Sequence, residues 1–224
     1  MNFSLLLSHY DILLIGARLT IIMTIGAVCL GLTLGTLLAL MRLSTLKAVR
    51  MAAGAYLQVF RGTPMLLQIS FLFFALPQLL GPGIWRNPFL ADAALAGIVA
   101  LGLNSGAYIC EIIRAGIQGV DVGQTEASRA LGLSRFQTMR LVVMPQAIRR
   151  VIPPLCNEFI VLLKDTSLVS AIGARELMYQ ARMVGARFYQ FFVFMTGAAI
   201  VYFCLTFVLT QISNYIERRL ARSD

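Results

Sequence analysis

Histidine, lysine and charge of either sign are scarce in this sequence, and each scarcity closes off a chemistry. The 224 residues contain one histidine, His9, near the N-terminus. A Ser-His-Asp or Cys-His nucleophile and a histidine-rich zinc site are therefore excluded. The two lysines, Lys47 and Lys164, each follow a leucine, whereas a P-loop requires Gly-x-x-x-x-Gly-Lys-Ser/Thr, so the chain has no such route to ATP hydrolysis. The four cysteines, Cys29, Cys110, Cys156 and Cys204, fall in apolar stretches without paired spacing and are expected to be small apolar fillers. Charged residues make up 13% of the chain and hydrophobic ones 58%, which excludes an ordinary water-soluble domain and indicates an all-α, polytopic membrane protein. The net charge of +9 is not gathered into a basic run, so it records orientation in a bilayer rather than nucleic-acid binding.

What is present is long apolar segments. The 23 residues from Leu19 to Met41 carry no charge, enough to cross a hydrocarbon core of about 30 Å, and the first span is expected over about 12–41. No cleavage site is evident before it, so no removable signal peptide is expected. A second span runs over about 51–77, kinked by Arg61-Gly62-Thr63-Pro64, and Gly81-Pro82-Gly83 makes a turn after it. Trp85 and Phe89 suit an interfacial aromatic belt before a third span over 91–117. A fourth, opened by Pro153-Pro154, covers 154–172, and a fifth 188–216. Five spans put the chain ends on opposite sides. Basic residues are concentrated after span one, between Arg114 and Arg150, and in the C-terminal tail, while Arg86, Arg175, Arg182 and Arg187 fall on the other side. The positive-inside rule then expects the N-terminus outside and the C-terminus in the cytoplasm. The whole of 1–224 is expected to be one transmembrane domain.

The connection over 118–150 is the one long cytoplasmic segment. Thr125 to Leu131 suits a short helix with Glu126 near its positive end and Gly132 placed to stop it. Ser134-x-x-Gln137 matches a capping box for the next helix, which Pro145 is expected to bend.

Glu126-Ala127-Ser128, three residues, Gly132, nine residues and Val142-x-Met144-Pro145 reproduce the spacing EAA-x3-G-x9-I-x-LP, with conservative departures at Ser128, Val142 and Met144. In this the chain resembles the permease subunits of ABC importers. Arg61-Gly62-Thr63-Pro64 with Gln68, Ala107-Tyr108 with Glu111 and Arg114, and Lys164-Asp165-Thr166-Ser167-Leu168 resemble the subfamily that imports polar amino acids. The resemblance implies a type I importer architecture of five spans in a bacterial plasma membrane. It implies a second permease, identical or homologous, two cytoplasmic ABC ATPase subunits that bind ATP and Mg, and an extracytoplasmic solute-binding protein. This chain would bind no cofactor of its own. Glu126, Ala127, Ser128, Leu131 and Gly132 would form the coupling helix that rests on the ATPase and transmits its closure to the spans.

Polar residues inside a span are costly and mark a solute path until a structural partner is found. Asn104, Tyr108 and Glu111 share one face of span three, with Asn104 near the bilayer midplane. Lys164 and Asp165 reach a similar depth in span four, where Thr166 and Ser167 add hydroxyls and Glu158 shares the Asp165 face. A cation beside a carboxylate suits the two ends of an amino acid, although Lys164 and Asp165 also suit a structural pair. Asn104 suits pocket lining or an interhelical hydrogen bond, and Glu111 suits the path or a pair with Arg61, which has Glu158 as its other option. Gly26, Gly31 and Gly35 are expected where helices pack closely. A proton-coupled secondary carrier is the alternative, because Glu111, Glu158 and Asp165 could relay protons, and an acid-pair intramembrane enzyme is a more distant one. Which amino acid is moved, and whether the permease has its own pocket or relies on the binding protein, stay open.

Overall fold

The computed structural model describes residues 3–81 and 92–221, and among them the regular structure is helical throughout. The expected aromatic belt at Trp85 and Phe89, with Arg86 and Arg222, lies outside the described residues. After a short α1 (Ser4–Ser8) come α2 (Tyr10–Arg42), α3 (Lys47–Gly62), α4 (Met65–Ser70) and α5 (Leu76–Leu80), the last two joined by a π-helical turn at Phe71–Ala75. Then follow α6 (Ala93–Gln118), α7 (Val122–Ala130), α8 (Arg135–Thr138), α9 (Met144–Asp165), α10 (Leu177–Phe188) and α11 (Phe191–Ala221).

The centre of the bundle is α2 against α6. A Cβ on Gly35 would come within 2.7 Å of Ile109, and one on Gly26 within 3.1 Å of Ile98, so the missing side chains allow these helices to approach at van der Waals distance. Gly26 meets Ile98, Gly31 meets Ser105 and Gly35 meets Ile109, both numbers rising together, so α2 and α6 run parallel. Helix α9 runs against α6, since Gly116 lies on Val151 and Gly97 on Val169 of the following turn. The apolar core between them is built on Met23, Ala27, Ile69, Leu101, Leu162 and Val169.

By length and apolarity α2, α6 and α11 can each cross a membrane, and α3 with α4–α5 adds a fourth crossing if that bent pair counts as one. Helix α9 carries Arg149, Arg150, Glu158, Lys164 and Asp165 and is too charged to pass on composition; Glu158 and Asp165 face a cavity between helices. It also begins earlier than expected. Pro145 sits in its first turn, where a missing N–H is harmless, and Pro153-Pro154 lie inside it rather than opening it. It ends at Asp165 and tightens into a 3-10 segment, Thr166–Ile172. Helix α10, between the last two expected spans, was not anticipated.

Candidate functional site

The site begins at the break in span two. Helices α3 and α4 meet at 105°, with Thr63 and Pro64 extended. In an unbroken helix the Phe60 carbonyl would accept from residue 64, but Pro64 has no N–H. Two side-chain amides replace that donor: Gln68 Nε2 donates to Phe60 O at 2.8 Å and Asn104 Nδ2 at 3.1 Å. Gln68 Nε2 also contacts Thr63 O and Oγ1, and its Oε1 accepts from Asn104 at 2.9 Å. Tyr56 Oη donates to Leu103 O at 2.7 Å, fixing α3 on α6 just below. Asn104 makes the interhelical bonds and also lines a cavity. Gln68 was missed as a structural partner, although the Pro64 four residues after Phe60 was a signal for it.

That cavity, about 290 Å³, is lined by Thr63, Met65, Asn104, Tyr108, Glu158, Val161, Leu162 and Asp165. Glu158 and Asp165 face it together, seven residues apart on α9, and Ser105 Oγ donates to Glu158 Oε1 at 2.8 Å. Lys164 points elsewhere: it is exposed, it is not among the lining residues, and no ion pair within 4.0 Å joins it to Asp165. Neighbours in a helix diverge by about 100°, so the adjacent charges separate. Thr166 is buried and donates to Leu163 O at 2.7 Å, closing the end of α9, and Ser167 is half-buried outside the lining.

Toward the α7 end of the bundle lies a second cavity, about 430 Å³, lined by Arg42, Gln58, Arg61, Tyr108 and Glu111 among others. Glu111 accepts from both Arg114 Nη2, at 2.6 Å, and Arg114 Nε, at 3.3 Å, while Arg61 stands 3.9 Å from the same carboxylate. The expected Arg61 to Glu111 pair is present but secondary to Arg114, and Arg61 does not reach Glu158.

The 118–150 segment forms a compact helical unit at this end. Helix α7 starts at Val122, not Thr125, and Asp121 caps it by accepting from Gly123 N at 2.6 Å. Glu126 therefore lies beyond the first turn, exposed, and the favourable interaction with the positive helix end belongs to Asp121. Gly132 has φ +86°, and the Leu133 to Ser128 and Gly132 to Arg129 backbone bonds complete a Schellman stop that a side chain would strain. The Ser134 and Gln137 capping box is present, with bonds of 2.8 and 3.2 Å. Ser128 is buried and donates to Thr125 O at 2.8 Å and to Thr138 Oγ1 at 3.1 Å, tying α7 to α8, whereas Ala127 and Leu131 are exposed.

Residues 31–222 match the family described as binding-protein-dependent transport system inner membrane component. The arginine transport system permease protein ArtQ of Bacillus subtilis (strain 168) is 38% identical over 224 residues, covering 100% of this chain and 99% of ArtQ. The putative glutamine transport system permease protein GlnP of Rickettsia bellii (strain RML369-C) is 39% identical over 205 residues, 92% of this chain and 91% of that protein. Among solved structures, a crystal structure of an amino acid ABC transporter with histidines superposes with a TM-score of 0.91 at 37% identity, covering 98% of this chain and 99% of that one. A helical membrane permease with a sharply bent helix pair is the class of protein in view, and the chain belongs to the family of binding-protein-dependent transport system inner membrane components. It is a multi-pass inner-membrane permease subunit of an ABC importer, which works with ATPase subunits rather than hydrolysing ATP as one of them.

Proposed function

We propose that this chain forms the translocation path of an ATP-driven importer of polar amino acids and couples it to cytoplasmic ATPases through α7. The observation that carries this reading is the 290 Å³ cavity, where two carboxylates, an amide and two hydroxyl-bearing side chains meet beside a broken helix. Glu158 and Asp165 suit the α-ammonium of an amino acid, and Asn104 and Thr63 add hydrogen-bonding groups. Relatives named for arginine and glutamine transport, and a similar structure of an amino acid transporter, support the substrate class. Lys164, Thr166 and Ser167 belong to the path in a supporting role at the end of α9, and Glu111 on its cytoplasmic side.

The helix directions support five passes: α2 and α6 run parallel, α9 returns, and the bent α3–α5 lies between the parallel pair in sequence. The basic residues favour the α7 end as cytoplasmic, with the N-terminus outside. Glu126, Ala127, Ser128, Leu131 and Gly132 form the lever, exposed on one flank for an ATPase and braced on the other by Thr138. The partners in this reading are a second permease, two ATPase subunits that hold ATP and Mg, and an extracytoplasmic solute-binding protein. This chain holds no cofactor. The test is purification of the tagged protein from its membrane, mass spectrometry of the co-purifying subunits, and reconstitution in proteoliposomes. ATP-dependent uptake of radiolabelled amino acid with an equimolar P-loop ATPase supports the reading. Uptake that needs a proton gradient and no ATPase overturns it in favour of the carrier.

A further inference from the structure

Tyr108 is the residue that the two cavities share among their described linings, so it stands between a chamber lined by Glu158 and Asp165 and one lined by Arg42 and Arg61. Tyr108 is 40% exposed and lines both cavities, so it lies outside the packed core. The Arg61 guanidinium lies over it, 5.6 Å from the ring centroid. This is a cation–π contact, strengthened by partial removal from water.

Arg61 is loosely tethered. Glu111 is held at two points by Arg114 and spares for Arg61 a contact of 3.9 Å, while the Arg61 side chain remains 44% exposed. Arg61 also immediately precedes Gly62 at the end of α3, at the 105° break, whereas Tyr108 is in the middle of the uninterrupted α6. A Cβ on Gly62 would meet nothing within 4 Å, so no side chain packs on the break at that point, and what holds it is the Gln68 and Asn104 amides on the Phe60 carbonyl, bonds that a change of angle would have to exchange. Any swing of α3 against α6 would lift the guanidinium from the ring. The charges act in the same sense. An ammonium attracted by Glu158 and Asp165 meets Arg61 and Arg42 if it advances past the ring, so the closed arrangement opposes passage both sterically and electrostatically.

We propose that Arg61 and Tyr108 form the gate between the solute cavity and the cytoplasmic vestibule, opened when the bend in span two carries Arg61 off the ring. The proposal rests on the transport reading above and adds to it the residues that prevent leakage.

The experiment uses the assembled transporter in proteoliposomes preloaded with radiolabelled arginine and glutamine, measuring release without ATP and solute moved per ATP. Tyr108→Ala is expected to raise ATP-independent release about tenfold and to lower the solute moved per ATP, in keeping with loss of one partly desolvated cation–π contact. Arg61→Ala, a half-exposed position outside the packed core, is expected to leak likewise and gives the same answer if Tyr108→Ala fails to assemble. Tyr108→Phe keeps the ring face and should hold the release within about twofold of the wild type. Wild-type release from the alanine variants, with wild-type solute moved per ATP, overturns the gate and leaves the transport reading standing. Failure of the wild-type complex to take up either amino acid with ATP overturns both.

Discussion

Asn104 Nδ2 donates to Gln68 Oε1 at 2.9 Å, and both amides also donate to the carbonyl of Phe60. The carbonyl is available because residue 64 is proline, so the broken span is closed by side chains from α4 and α6 in place of a backbone N–H. Replacing Asn104 or Gln68 by leucine is expected to destabilise the protein by about 1 kcal/mol each, the usual size of an interhelical bond in membranes. The double variant should lose less than the sum, because the two amides serve one carbonyl. Thermal unfolding in detergent measures all three.

The lever proposed for α7 depends on its exit. Gly132→Ala places a Cβ at φ +86° and is expected to cost about 1–2 kcal/mol locally. Uptake should fall while the ATPase still co-purifies. Glu126→Lys touches an exposed position and should leave thermal stability unchanged while reducing solute moved per ATP hydrolysed. Normal uptake by both variants would remove α7 from the coupling mechanism.

Adjacent charges on α9 should separate in function. Asp165→Asn and Glu158→Gln are expected to raise the KM for uptake at least about tenfold, the effect of losing one charge-assisted bond. Lys164→Gln, on an exposed position outside the cavity lining, should change KM by less than about twofold. Uptake titrations in proteoliposomes discriminate; an equal effect of all three would make Lys164 a direct contact.

Outside the spans, Glu176 is fully buried at the start of α10, where it accepts from Met178 N, Tyr179 N and Tyr202 Oη. Burial raises its carboxyl above the ordinary 4.5, an effect that the three donors oppose. A raised folded value means that the stability carried by this group is fully present below the unfolded value and is lost as pH rises through the folded one. Wild type should therefore gain stability relative to Glu176→Gln as pH is lowered toward 4.5, read from unfolding midpoints of the two proteins across that range. A constant difference would show that the carboxyl does not titrate there on folding.

Much of the fold was legible along the chain because the relevant physics is local. Hydropathy marked α2, α6 and α11, the Arg61 to Pro64 segment marked the break, and Ser134 with Gln137 and Gly132 marked the helix boundaries around α8 and α7. Local rules also misled. Pro153-Pro154 suggested a helix start, yet α9 runs through them from Met144, and Asp121 rather than Glu126 sits at the positive end of α7. The Asp121 cap set the start of α7, whereas α9 continues without a cap of its own from α8 and the π-helical Met139–Val143 before it.

Composition and spacing by themselves determined that this protein lives in a bilayer, that it has no P-loop of its own, and that Glu126 to Pro145 carries the importer signature. Periodicity also determined that Asn104 shares a helix face with Tyr108, and Glu158 with Asp165. Only the tertiary structure decided what those faces look at. The rotation of one helix against the next is set by packing such as Gly35 on Ile109, which no single segment encodes. That rotation joins Gln68 and Asn104 on one carbonyl, turns Asp165 inward while Lys164 remains outside, and sets Arg61 over the ring of Tyr108.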